Sequence, residues 1–228
     1  KNKVINLIKK LEKIEGIKYV GPNRVYDFSN VMVSLESENN NSWAIDKIKI
    51  SDVWNFTSGN KKVKIGVIDS GISLHTGLNS NLVEGYDFIN QDSNANDDIV
   101  GHGTHVAGII GGLENNDLGF FGVNSKISIV PLQVVNSEKK VDESACVEAV
   151  YYAIRSYDSN EPIEILNFSA AIYSDWPAML SALRLYPGLF VCAAGNFGID
   201  TVCKNCDNTG TSITIICNNT DTTKAKII

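Results

Sequence analysis

The sequence predicts an α/β protein whose parallel sheet carries helices on both faces, preceded by a small α+β unit. From residue 43 onward, short and mostly apolar strand patterns alternate with helical patterns, which is typical of a parallel sheet buried on both sides. The chain of 228 residues is 43% hydrophobic and 20% charged. This is the composition of a globular protein, and the length suits one large domain with a small appendage.

Residues 1–36 form the first unit. Apolar residues at a spacing of about 3.6 predict a helix over 3–14, and two short strands over 17–20 and 24–28 flank a Gly-Pro-Asn turn. A helix and two strands cannot enclose a core of their own, so this unit must lean on the rest of the chain or be a remnant of something longer. Residues 37–42 are polar and without periodicity, and they predict a linker to the main unit, residues 43–228.

The main unit contains strand patterns separated by helices, with no internal repeat. Strands are predicted over 63–68, 127–135, 163–168, 189–194 and 213–217, and helices over 102–112, 142–157 and 176–186. In the first of these helices, Gly103, Ala107, Gly108 and Gly111 leave almost no side-chain bulk. Because glycine inside a helix costs about 1 kcal/mol relative to alanine, we expect this helix to be buried with a neighbouring element packed directly on its backbone.

Composition argues against several classes of partner. A formal net charge of -6 does not fit a nucleic-acid surface, and no apolar run approaches the roughly 18 residues of a membrane span.

Cys203 and Cys206 have the spacing of half a zinc site or of a redox pair. Zinc needs three or four ligands, so a local disulfide or two loop thiols is the default interpretation.

Polar side chains stand where the predicted strands end. Asp69, Ser169 and Asn196 come just after three of the strands, and His102 begins the small-residue helix. Function collects beyond the carboxyl ends of the strands in such sheets. A buried carboxylate needs a partner, and a histidine suits it because the carboxylate holds Nδ1–H and fixes the tautomer.

These residue types fit one chemistry. Asp69 would orient His102, His102 would act as a general base, and the Asn196 amide would donate to an oxyanion, as in a serine hydrolase. Taken singly, each residue also has a purely structural interpretation, since an aspartate at a strand end is usually a cap or a turn former. The pattern of several such residues together favours catalysis.

The longest motifs resemble those of the subtilisin-like serine proteases. Residues 67–72 (Val-Ile-Asp-Ser-Gly-Ile) resemble the family's aspartate motif, and residues 101–108 (Gly-His-Gly-Thr-His-Val-Ala-Gly) its histidine motif. Residues 165–169 resemble the substrate-binding strand, residues 192–198 the motif of the oxyanion asparagine, and residues 43–48 the start of the mature enzyme. The resemblance covers residues 43–217.

The resemblance implies a serine endopeptidase that hydrolyses extended polypeptide substrates and requires no cofactor. It implies catalytic roles for Asp69, His102 and Asn196, while Ser169, Ala170, Ala171 and Gly195 would bind the substrate backbone by strand addition. Residues 3–28 resemble the second half of the family's propeptide, which inhibits its own enzyme and assists its folding. Secretion or a cell-surface location is the corresponding expectation.

The nucleophile departs from the family pattern. Gly210-Thr211-Ser212 mimics the serine motif, but it comes only 16 positions after Asn196 and resembles the start of the next core strand. We therefore expect the chain to stop before the nucleophilic serine, and residues 1–228 to lack meaningful peptidase activity on their own. The alternative is a non-catalytic relative that binds a peptide or an inhibitor in its cleft.

Two further alternatives concern ligands. Residues 113–117 resemble a calcium loop of the family, but Gly77 stands where a carboxylate is usual, so an ordinary solvated turn competes with a calcium site. The Gly-His-Gly-Thr-His run suggests a nucleotide-dependent α/β enzyme. It lacks the third glycine of that motif, since Val106 occupies the place, and no acidic ribose partner has the expected spacing.

Overall fold

The structure, a computed structural model, describes residues 2–27, 46–96, 100–113, 122–170 and 176–193. Its strands are β1 (Val25–Asp27), β2 (Lys64–Asp69), β3 (Tyr86–Asp87), β4 (Ser128–Gln133), β5 (Lys140–Asp142), β6 (Ile163–Phe168) and β7 (Leu189–Cys192). Its helices are α1 (Asn2–Leu11), α2 (Ile50–Trp54), α3 (His102–Gly111), α4 (Glu143–Ser156) and α5 (Pro177–Leu183). Among these ranges, every helix is too short or too polar to cross a bilayer.

The main sheet has the order β3-β4-β2-β6-β7, and every pair in it is parallel. This confirms the predicted α/β class. The predicted strand over 213–217 lies outside the described residues. Because the chain alternates strand and helix, the carboxyl ends of all the strands meet at one edge of the sheet, where β2 and β4 pair Asp69 with Gln133.

Each face of the sheet has its own apolar core. On one face, α3 packs on β2 and β4, and Val67 and Ile129 lie in a cluster with Val106 and Ala107 of the helix. On the opposite face, α4 and α5 pack against the larger cluster. That cluster includes Ile68, Leu132, Leu166, Phe168, Val150 and Leu183. The alternation of side chains along β2 therefore places Val67 and Asp69 on the side of α3.

The N-terminal unit packs against the main unit, which is one of the two alternatives that the sequence leaves open. Strand β1 pairs antiparallel with β5, and Tyr26 packs its ring 5.3 Å from that of Trp176. The prediction of a strand over 17–20 is wrong, because these residues are irregular in the structure. The strand predicted over 24–28 is observed as β1, and its hydrogen-bonding neighbour is β5 rather than the nearby segment.

Candidate active site

Asp69 is the last residue of β2, and its carboxylate is held by the turn that follows. The residue is 1% exposed. Ser70 donates to Asp69 Oδ1 twice, from its backbone nitrogen at 2.8 Å and from its hydroxyl at 3.2 Å. On the neighbouring strand, Val134 N donates to the backbone oxygen of Asp69 at 2.9 Å, which fixes the end of β2 itself.

His102 begins α3 and meets this carboxylate. Its ring nitrogen Nδ1 lies 2.7 Å from Asp69 Oδ1 and 2.9 Å from Oδ2, although the two residues are 33 positions apart. His102 is 8% exposed, and Gly101 before it takes a left-handed φ of 82°, which a side chain would resist. A carboxylate only accepts hydrogen bonds, so a neutral imidazole in this position would carry its proton on Nδ1 and leave Nε2 as the basic nitrogen.

The glycine after His102 allows the close approach that the sequence predicts. A methyl group on Gly103 would overlap the carbonyl oxygen of Gly71, and it would stand 3.2 Å from both Cβ and Oδ1 of Asp69. The nitrogen of Gly103 donates to the Ser70 hydroxyl at 3.0 Å. Helix α3 therefore reaches the carboxylate turn through backbone contact, which brings the imidazole to the Asp69 side chain.

Ser70 is a residue of the candidate site that sequence reasoning missed. Its hydroxyl accepts from Gly103 N and donates to Asp69 Oδ1, so it joins the start of α3 to the end of β2. It is 2% exposed. The available signal was a small polar residue directly after a buried aspartate, which is a position that can satisfy the carboxylate locally.

Ser169 and Ala170 lie just beyond the end of β6, at the same edge of the sheet. Asn167 pairs in register with Val67, two residues before Asp69, and its side-chain amide donates to the Ser169 hydroxyl at 2.9 Å. Both Ser169 and Ala170 are half-buried. Three other predicted site residues, Ala171, Gly195 and Asn196, lie outside the described residues, as does Ser212.

The loops that the sequence suggests for calcium lie at the end of α3 and beside Gly77. Within the described residues, no group of three or more histidine, cysteine or acidic side chains could hold a metal ion. Gly77 accepts a hydrogen bond from Leu113 N at 2.8 Å through its carbonyl oxygen, which joins the two loops considered for calcium. Residues 114–117 of the predicted loop are not among the described residues, and neither are Cys203 and Cys206.

Two cysteines of the described ranges, Cys146 and Cys192, are free thiols on the face of the sheet that α4 and α5 cover. Cys146 is fully buried in α4, and burial raises the pKa of its thiol well above the ordinary value. Cys192 ends β7, and burial raises the pKa of its thiol to about 11. Both environments disfavour the thiolate, so neither cysteine has the character of a nucleophile.

Comparison with known proteins shows which family this chain resembles. The chain is 32% identical over 165 residues to the minor extracellular protease Epr of Bacillus subtilis (strain 168), covering 71% of this chain and 24% of that protein. It is 30% identical over 161 residues to an intracellular serine protease of Paenibacillus polymyxa, covering 68% and 47% respectively. The chain thus spans less than half the length of these two relatives.

A solved structure and a family model agree with these relatives. The crystal structure of MycP1 with the N-terminal propeptide removed matches at a TM-score of 0.56 and 25% identity, covering 69% of this chain and 50% of that one. The relatives include both extracellular and intracellular proteases, so the expected location outside the cell stays a prediction. The model of the Subtilase family matches residues 60–225. On these grounds, the chain belongs to the subtilase family.

Proposed function

We propose that this protein is a serine endopeptidase that hydrolyses peptide bonds of extended polypeptide substrates. The observation that carries the proposal is the contact of 2.7 Å between His102 Nδ1 and Asp69 Oδ1, in a buried position at the carboxyl edge of the sheet. Membership in the subtilase family supports it. His102 Nε2 takes the proton from a serine hydroxyl during attack, while the Asp69 carboxylate stabilises the imidazolium that forms.

The remaining roles rest on the resemblance to the family's motifs. Asn196 donates to the oxyanion of the tetrahedral intermediate through its side-chain amide. The backbone after β6, at Ser169, Ala170 and Ala171, together with Gly195, holds the substrate as an added strand. Of the serines at the described edge, Ser70 is engaged with Asp69 and Gly103, so we do not assign it as the nucleophile.

The N-terminal unit is proposed to act as the inhibitor of its own enzyme. Support comes from β1, which occupies the open edge of β5 in the antiparallel sense that an extended peptide would use. An inhibitor of this kind has to be removed or displaced before a substrate binds. Calcium is not required for any step proposed here.

The test is cleavage of a fluorogenic peptide library by residues 1–228, which we expect to lack meaningful turnover alone, by a longer form that also supplies the family's serine motif, and by three variants of that longer form. His102→Ala should abolish turnover, with a loss of about 10⁶ in kcat, and Asp69→Asn should cost about 10⁴ because the imidazole loses its tautomer. His105→Ala is the matched control, since His105 is an exposed residue of the same helix. Turnover that survives His102→Ala would contradict the proposed base.

Labelling locates the nucleophile in the same experiment. A fluorophosphonate probe followed by peptide mapping should modify one serine of the longer form and none of residues 1–228 alone, and the modification should disappear in His102→Ala. A longer form that binds peptides tightly but neither cleaves nor labels would favour the second candidate, a non-catalytic peptide-binding relative. The specific observation in favour of that candidate is the strand already seated on β5.

A further inference from the structure

Residues Asp142–Ser144, where β5 ends and α4 begins, form a corner that hydrogen-bonds the side-chain amide of Asn23. Asn23 Nδ2 donates to both carboxylate oxygens of Asp142, each at 3.1 Å. Asn23 Oδ1 accepts from the backbone nitrogen of Ser144 at 2.9 Å. Both ends of the amide are therefore used by residues that lie about 120 positions away along the chain.

The two partners of Asn23 have opposite requirements. Burial alone would raise the pKa of Asp142, but hydrogen bonds from the Ser144 hydroxyl, the Ala145 nitrogen and the Asn23 amide outweigh burial and lower that pKa. Asp142 is thus an ionised group that only accepts, whereas Ser144 N, in the first turn of α4, only donates. A carboxylate would suit Ser144 and repel Asp142, and an ammonium group would suit Asp142 and leave Ser144 without an acceptor. A carboxamide satisfies both.

We propose that Asn23 determines the specificity with which the N-terminal segment docks on the main unit, and that the Asp142–Ser144 corner is a carboxamide-recognition site. The inference deepens the inhibitor role proposed above for this unit. Docking also uses backbone contacts that carry no sequence information, such as the hydrogen bond from Glu143 N to the carbonyl oxygen of Arg24 at 3.0 Å. Selectivity must come from side chains. Asn23 and Tyr26 contact the main unit directly, and the Arg24 guanidinium, which is hydrogen-bonded to Tyr26, interacts electrostatically with the Glu143 carboxylate.

Tyr26 supplies the second, less selective anchor. Its ring lies against Trp176, which is buried and also packs near Phe168. An apolar contact of this kind tolerates any large flat side chain. The segment recognised by this surface is therefore an extended strand with a carboxamide side chain, followed three residues later by an aromatic one.

The test uses hydrogen exchange of the full chain, read at the amides of residues 25–27 and of Glu143. Asn23→Asp should lower their protection by roughly tenfold to a hundredfold, since it removes a donor to an ionised group and adds a like charge beside Asp142. The N-terminus of α4 would favour the new carboxylate, but only by a factor of about two to five. Asn23→Leu, which removes the bonds without adding charge, should fall between wild type and Asn23→Asp.

The decisive variant exchanges the two groups. Asn23→Asp combined with Asp142→Asn restores a donor facing an acceptor, and asparagine caps a helix about as well as aspartate, so protection should return to within about threefold of wild type. Amides of β2 and β4 report in every sample whether the main unit is folded. Unchanged protection in Asn23→Asp, or no recovery in the double variant with β2 and β4 still protected, would overturn the proposal. Because no cleavage is measured, failure of this inference is distinct from failure of the peptidase assignment.

Discussion

Replacing Gly103 by alanine sets helix propensity against the close approach of α3 to the carboxylate turn. Gly103 is the second residue of α3, so propensity alone predicts a gain of about 1 kcal/mol in the free energy of unfolding. The new methyl group, however, would overlap the carbonyl oxygen of Gly71 and crowd the Asp69 carboxylate. A backbone carbonyl cannot rotate away as a side chain can, so α3 or the turn has to shift.

The magnitudes decide the sign. Overpacking of this kind costs about 1–3 kcal/mol, and a rigid backbone neighbour puts the cost near the upper end. Subtracting the gain in helix propensity leaves a net loss of about 2 kcal/mol. For a protein of this size, that loss lowers Tm by roughly 4–8 °C.

Gly111→Ala at the other end of the same helix is the matched control. There the added methyl group meets the terminal carbon of Ile129 at 2.8 Å and side-chain carbons of Ile127 at 3.1 and 3.3 Å, which are flexible ends that can move. We expect its Tm to change by less than half as much. Thermal unfolding followed by circular dichroism measures both variants. A Gly103→Ala protein as stable as Gly111→Ala would refute the steric account of why α3 begins with a glycine after His102.

Three further predictions concern single side chains. Ser70→Ala removes the hydroxyl that accepts from the buried nitrogen of Gly103, so it should lower the free energy of unfolding in urea by about 1–3 kcal/mol. A loss below about 0.5 kcal/mol would contradict the bridging role of the hydroxyl. Asn81→Leu removes donors to the carbonyl oxygens of Gly111 and Ser125, at 2.6 and 2.9 Å. It should destabilise by about 2–5 kcal/mol, because two acceptors lose their partner, so an unchanged urea midpoint would argue against it. The Cys192 thiol, whose pKa is raised to about 11, should react with iodoacetamide far more slowly than an ordinary thiol at pH 8.5, and its reaction should accelerate only as the pH approaches 11. Peptide mapping of the alkylated protein measures the extent of reaction. Full reactivity at pH 8.5 would show that the thiol is open to water.

Much of the secondary structure could be predicted from the sequence because its signals are local. The helix expected over 102–112 is observed as His102–Gly111, and the strand expected over 163–168 has those bounds in the structure. The placement of Asp69 and His102 at the ends of elements was predicted for the same reason. Spacing of apolar residues reports which side of an element is buried, and neighbouring residues in the chain supply that information.

Contacts between distant segments could not be predicted in this way. The strand expected over 17–20 had an adequate local pattern, but the pairing that formed joins β1 to β5, more than a hundred residues later. The hydrogen bonds of Asn23 at the start of α4 and of Ser70 to Gly103 have no signature in the spacing of residues. A hydrogen bond depends on two groups meeting within about 3 Å, which local sequence patterns do not report.

By itself, the sequence determined which residues could do chemistry and on which elements they stand. Only the tertiary structure decided that Asp69 and His102 meet at 2.7 Å, because that distance results from packing α3 on β2 through a glycine that admits a carbonyl oxygen. The same holds for the carboxamide corner at Asp142, where the two sides come from opposite ends of the chain's first 150 residues. The sequence specifies the residue types, whereas the distances between them depend on how the helices pack on the sheet.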